Sequence, residues 1–147
     1  FTIEQLINDS MILFNHRIVV GNIDFSLNFS HSDKQLKGDS GQIEQVYNNL
    51  LGNALDALKN SYIRRLTVNT YDKDNYICIA VSDSGCGMEE EVLASIFDPF
   101  FTTKRSGEGT GLGLSISRGI IENHRGKLTA TSEKGKGSCF TIWLPTG

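Results

Sequence analysis

Apolar and polar residues alternate without a break from Ile23 to Phe29, with Ile23, Phe25, Leu27 and Phe29 on one side and Asp24, Ser26 and Asn28 on the other. That period of two describes a strand with one dry face, and a sheet with one dry face needs a second layer to cover it. The helical segments supply that layer. Ile3, Leu6, Ile7, Met11 and Phe14 recur at helical spacing behind a T-x-x-Q capping box formed by Thr2 and Gln5, and Gly21-Asn22 offers a stop. A second helix is predicted from Asp39 or Ser40 to about Lys59. Its apolar arc is Ile43, Val46, Tyr47, Leu50, Ala54 and Ala57, with Glu44, Asn48 and Lys59 turned to water. Between the first strand and this helix runs a polar loop, from Ser30 to about Lys37.

Two more strands are predicted at Leu66–Tyr71 and Tyr76–Ser82, joined through the turn-forming stretch Asp72-Lys73-Asp74-Asn75. A short helix at Glu89–Ser95 and another from Leu114 to about Asn123 follow. Strands at Lys127–Ser132 and Ser138–Leu144 then flank a Glu133–Gly137 turn. The expected fold class is α/β (α+β): a two-layer sandwich of a mixed, mostly antiparallel sheet covered on one face by about three helices. A chain of 147 residues with no linker or repeat reads as one domain, residues 1–147.

Several function classes drop out early. Fourteen basic residues against 17 acidic ones, with no basic block, give no reason to expect a nucleic-acid partner. No apolar run approaches the length of a membrane span, so no membrane contact is expected of this piece. The chain starts at Phe1 rather than Met, the expectation for a fragment whose parent can carry its own membrane anchor. Cys78, Cys86 and Cys139 show no C-x-x-C spacing and read as reduced thiols of a cytoplasmic protein. His16, His31 and His124 are equally isolated, so a metal held by side chains alone is not expected.

Three features carry chemistry. On the second helix, Gln42, Gln45, Asn49, Asn53 and Asp56 form a stripe beside the apolar arc. The amides of Asn49 and Asn53, four apart, point the same way and suit a hard cation such as Mg²⁺, which takes oxygen ligands; the plainer reading is solvated surface. At the end of the third strand, Asp83-Ser84-Gly85-Cys86-Gly87 puts a carboxylate where an exocyclic amine of a base could donate to it, with glycines that let backbone approach a flat ring; an ordinary strand-to-helix turn would look the same. The run from Gly107 to Leu114, G-E-G-T-G-L-G-L, exposes backbone N–H groups and leads into a helix N-terminus, both suited to an anion. It lacks the G-K-[ST] of a Walker A loop, and it does not directly follow a strand as a dinucleotide-binding turn does.

Together with Phe97-Asp98-Pro99-Phe100-Phe101-Thr102-Thr103-Lys104 and Gly135-Lys136-Gly137-Ser138, these features occur in one order. In that order the chain resembles the catalytic, ATP-binding domain of two-component sensor histidine kinases, within the fold shared with gyrase, Hsp90 and the MutL-type ATPases. The resemblance covers nearly the whole chain. The stretch I-F-D-P-F-F-T-T-K from Ile96 to Lys104 is most similar to the nitrogen-regulation and C4-dicarboxylate-sensing type.

The resemblance implies Mg·ATP as ligand. Asn53 would be the Mg²⁺ ligand, with Asn49 its neighbour on the phosphate side. Asp83 would hold the adenine amino group, with Gly85 and Gly87 lining the base pocket and Ser138 keeping a hydroxyl where relatives more often have Thr. Gly109, Thr110, Gly111, Leu112, Gly113 and Leu114 would cradle the phosphates. Residues from about Asp98 to Gly111 would form an ATP lid, from which Thr103 and Lys104 reach the terminal phosphates. Asn49 and Lys104 would be the catalytic pair. Asp56 stands where many relatives have a basic residue, and Arg125 replaces a glycine common before Gly126.

A rival in the same fold is an ATP hydrolase, which needs a carboxylate one turn before the Mg²⁺ asparagine to activate water. That position holds Asn49, an amide. Transfer to an acceptor is therefore expected instead: a histidine on the dimerisation, histidine-phosphotransfer domain of the same parent, with onward transfer to a response regulator receiver domain. None of His16, His31 and His124 stands in an acceptor motif, so the chain is not expected to label itself. A regulatory ATP-binding module and an anti-sigma-type serine kinase are the other readings of this fold.

Overall fold

The computed structural model describes residues 1–101 and 113–147. In chain order it contains α1 (Ile3–Val20), β1 (Asp24–Ser30), α2 (Ser40–Leu58), β2 (Arg65–Lys73), β3 (Tyr76–Asp83), a one-turn α3 (Glu90–Leu93), α4 (Gly113–Asn123), β4 (Lys127–Glu133) and β5 (Gly137–Pro145). The strands form one five-stranded sheet in the order β1-β2-β3-β5-β4. β1 runs parallel to β2, and the other neighbours are antiparallel. This is the mixed, mostly antiparallel sheet that the sequence pattern predicts, with helices packed on one face.

The local signals account for most boundaries. The Thr2 hydroxyl accepts from Gln5 N–H at 3.3 Å, but the Gln5 side chain donates forward to Asp9 at 2.8 Å, so only half of the capping box forms. The stop after α1 is made by Asn22 at φ 53, while Gly21 stays helical at φ −76. Asp39 caps α2, accepting from Gln42 N–H at 3.1 Å. β2 runs further than expected, to Lys73, which tightens its turn into β3 to Asp74-Asn75 with Asp74 at φ 55.

The core lies between the sheet and the helices. Ile3, Leu6, Ile7 and Met11 of α1 meet Leu66 and Val68 of β2, Ile77, Ile79 and Val81 of β3, and Ile142 and Leu144 of β5 in one buried cluster. Central β3 is buried on both faces from Ile77 to Val81, so its sequence reads as a continuous apolar run. Edge strand β1 keeps the expected alternation, yet Phe25 and Leu27 are only half-buried and Phe29 is exposed.

Helix α2 departs from the single apolar arc. Besides Ile43, Val46, Tyr47, Leu50 and Ala54 it buries Leu51, Leu55 and Leu58, whereas Ala57 is half-buried. α2 packs against α1, α4 and the sheet at once, so more than one side is dry. Asn48 therefore does not face water as expected; it is half-buried and accepts a hydrogen bond from Ser10, a fully buried serine of α1. The expected polar loop also holds a core residue. Leu36 is buried, and its backbone exchanges hydrogen bonds with Phe1, at 2.7 Å to the Phe1 carbonyl and 3.0 Å from the Phe1 amino group. Among the described residues no helix is long and apolar enough to cross a membrane.

Leu51 is fully buried although it lies off the predicted arc. Leu51→Ala should cost about 2–5 kcal/mol in urea unfolding, while Gln45→Ala on the exposed side should change stability by less than about 0.5 kcal/mol.

Candidate functional site

Three side chains of α2, one helical turn apart, organise the site: Asn49, Asn53 and Ala57. At about 1.5 Å per residue they span about 12 Å. At one end, Asn49 meets the start of α4. Its amide nitrogen donates to the buried Ser117 Oγ at 3.2 Å, and a Cβ on Gly113 would stand 2.8 Å from its Oδ1. A side chain at 113 would displace the Asn49 amide. α4 carries no acidic residue in its first turn, so the partial positive charge of its N-terminus is not offset by its own side chains.

At the other end, Ala57 meets the loop that follows β3. A Cβ on Gly85 would lie 2.8 Å from the Ala57 carbonyl oxygen and 2.9 Å from Asp83 Oδ1. Gly87, at φ +68, is pressed so closely on the Glu133 carbonyl that any Cβ would overlap it. Gly137, at φ +117, is pressed in the same way on the Asp83 carbonyl. The glycines of the D-x-G-x-G stretch thus let α2, this loop and the β4–β5 hairpin converge on Asp83. The loop is tied to the hairpin three more times: Gly135 N–H to the Cys86 carbonyl at 2.6 Å, Met88 N–H to Ser132 Oγ at 2.7 Å, and Lys134 to Glu89 at 2.9 Å.

Asp83 ends β3 opposite Ser138 of β5. Burial pushes its carboxyl pKa above the ordinary 3.8, and hydrogen bonds from the backbone N–H groups of Gly85, at 2.9 Å, and Ser138 pull it back. The result is a half-buried acceptor, partly desolvated and already held by backbone donors. Asp83 and Ser138 border a cavity of about 360 Å³, whose remaining walls are hairpin residues including Ser132, Lys136 and Gly137. None of its walls comes from α2 or α4, so it forms only one edge of the site.

The structure therefore brings Asn49, Gly113 and Leu114 to one end of the α2 stripe and Asp83, Gly85, Gly87 and Ser138 to the other, with half-buried Asn53 between them. Thr103, Lys104, Gly109, Thr110, Gly111 and Leu112, with most of the expected lid, lie outside the described residues. Ser117 and Ser132 are contributors that no sequence motif marks. Asp56, unusual by family resemblance, pairs with Arg17 of α1 at 3.0 Å on the surface. Arg125 takes φ 63, a conformation that suits the glycine it replaces. His124 is structural: Nδ1 donates to the Ile120 carbonyl at 2.8 Å, and Nε2 accepts from Asp39 N–H at 3.1 Å. All three cysteines are free.

Residues 38–147 match the family described as histidine kinase-, DNA gyrase B- and HSP90-like ATPases. The chain belongs to that family. Its ligand class is accordingly ATP. Among relatives, sporulation kinase E of Bacillus subtilis is 34% identical over 143 residues, 97% of this chain and 19% of that protein. The sensor histidine kinase ZraS of Escherichia coli K12 is 36% identical over 145 residues, 97% of this chain and 30% of that protein. The chain thus spans less than a third of either. Of solved structures, the nucleotide-free catalytic domain of histidine kinase ThkA superposes with a TM-score of 0.86 at 36% identity, covering 99% of this chain and 93% of that one. ThkA in complex with response regulator protein TrrA superposes at 0.83 and 32% identity, covering 100% of this chain and 41% of that chain.

The half-buried Asp83 carboxylate has its pKa raised by burial, so its charged form should weaken the fold at neutral pH. Its folded pKa lies above its unfolded value, so the penalty is present above the folded pKa and disappears below about 3.8. Asp83→Asn should therefore raise stability at pH 7, and the gain should shrink to nothing as pH falls through that window. Urea unfolding of both proteins across pH 3 to 8 measures it; a gain that persists below the window would mean the carboxylate charge is not its source.

Proposed function

We propose that this chain is the ATP-binding catalytic part of a sensor histidine kinase, which binds Mg·ATP and donates the γ-phosphate to a histidine on the dimerisation domain of its own parent. The single observation that carries the transfer reading is Asn49. A hydrolase of this fold would need a base one turn before Asn53, and there the side chain is an amide, bonded to Ser117. The other acids of α2 do not replace it. Asp56 is paired with Arg17, and Glu44 lies five residues before Asn49, about 140° around the helix.

Asp83 would accept from the adenine amino group, and Ser138 would offer its hydroxyl beside it. The α2 stripe would carry the ribose and phosphates toward the head of α4, where backbone N–H groups favour negative charge. The donors there fit Mg²⁺. Among the described residues no three of His, Cys, Asp and Glu gather into a metal cage, and neutral amide oxygens beside a phosphate suit an ion that keeps waters and phosphate ligands. Asn53 would hold it, with the Asn49 oxygen adjacent. When bound, Mg²⁺ would offset phosphate charge. By family resemblance Thr103 and Lys104 would reach the terminal phosphates. The protein's own part is positioning and charge stabilisation. The incoming imidazole nitrogen forms a bond to the γ-phosphorus as the bond to the bridging oxygen breaks, releasing ADP. The phosphoryl group would then pass to a carboxylate of a response regulator, the class of partner seated on ThkA in the superposed complex. Free cysteines and an ATP substrate support a cytoplasmic location.

Asn53→Ala should lower Mg-dependent ATP affinity by about 10- to 150-fold, the loss of one hydrogen bond or contact to a charged group. The fold should stay intact, as read by calorimetry and circular dichroism. Unchanged affinity in a folded variant would remove the metal assignment.

Incubated alone with radiolabelled Mg·ATP, the chain should hydrolyse it very slowly and take up no label. With its parent's dimerisation domain it should transfer label that is acid-labile and base-stable. Fast turnover alone would favour a hydrolase, and an acid-stable label on serine would favour the serine-kinase reading.

A further inference from the structure

Ser132, at the end of β4, stands where the loop after Asp83 meets the β4–β5 hairpin. Its Oγ receives the Met88 N–H at 2.7 Å, lies 3.0 Å from the Gly137 carbonyl oxygen and 2.9 Å from Ser138 Oγ. A hydroxyl has one proton and two lone pairs. The Met88 amide can only donate and the Gly137 carbonyl can only accept. The Ser132 proton therefore goes to Gly137, and one lone pair is taken by Met88. What remains toward Ser138 is a lone pair, so Ser138 must be the donor across that contact.

Ser138 has one proton, and this bond uses it. Toward every other neighbour it then offers lone pairs alone. Ser138 also sits directly opposite Asp83 in the β3–β5 ladder, and both border the same cavity. We propose that Ser132 is a specificity-positioning residue, which fixes the Ser138 hydroxyl as an acceptor so that Asp83 and Ser138 present two acceptors to the base. The two N–H donors of an exocyclic amino group satisfy such a site, and a base without that group leaves both acceptors unpaired. Ser132 acts through its partner across the β4–β5 ladder: it sets the direction of the Ser138 proton. This inference rests on the ATP reading above.

The test is the ratio of this chain's affinities for ATP and purine riboside triphosphate, whose base carries hydrogen where adenine carries its amino group, measured by titration calorimetry with Mg²⁺. Ser132→Ala frees the Ser138 proton to donate, and the preference for ATP should fall about 3- to 10-fold, the range of one neutral hydrogen bond. Ser132→Thr, which keeps the hydroxyl, should retain the parent ratio. In a Ser138→Ala background, Ser132→Ala should leave the ratio where Ser138→Ala alone puts it, because the two act through one bond.

Equal weakening of both nucleotides by Ser132→Ala, with the ratio unchanged, would overturn the proposal and leave Ser132 as a tie between the Met88 loop and the hairpin. Should Ser132→Ala fail to fold, Ser132→Val fills the space with no polar atom, and an unchanged ratio there overturns it equally. A parent chain that binds no ATP sinks the reading beneath it and this inference together; bound ATP with an unmoved ratio sinks the inference alone.

Discussion

Helix α2 is packed on several sides at once, and the rest of the molecule is arranged around that fact. α1, α4 and the sheet each press on it. Ile43, Val46, Tyr47, Leu50, Leu51, Ala54, Leu55 and Leu58 are the consequence, since a helix enclosed this far buries much more than one narrow stripe. Burial pushes the Tyr47 phenol pKa up, and its hydroxyl settles for Met11 Sδ at 3.4 Å. The same enclosure limits what can remain open. Asn49 and Asn53 sit at the border of the packed surface, half-buried, held in place by a helix that cannot turn without breaking the core.

Convergence on Asp83 is the second constraint, and it follows from the first. The loop after β3 must fit between the end of α2 and the β4–β5 hairpin, and it does so only because residues 85, 87 and 137 lack a Cβ. The approach is close enough to remove some of the water from the carboxylate. Two backbone N–H groups offset part of that cost. A preorganised acceptor of this kind should weaken the empty fold, which is the usual relation between stability and a binding site.

Much of this was legible in the residues. Periods of two and of 3.6 give the helices and strands to within a residue or two, and Thr2, Asp39 and Asn22 mark helix ends by their capping chemistry. Other features were not legible, because they depend on partners distant in sequence. Asn48 reads as a surface amide until Ser10 of α1 is seen to face it. Leu36 reads as part of a polar loop until Phe1 pairs with it. Ser132 carries no motif, and only the register that puts it across from Ser138 gives it a role.

Local structure, then, was settled by the sequence alone: a two-layer α/β fold, the order of its elements, and motifs that resemble those of an ATP-binding family. These depend on neighbours a few positions apart, and periodicity and backbone preference act over that range. Which face of α2 stays open, how deeply Asp83 is desolvated and where the Ser138 proton points were decided only by the tertiary structure. Each of those is fixed by atoms brought together from different elements, and no pattern along a single segment records the distance between them.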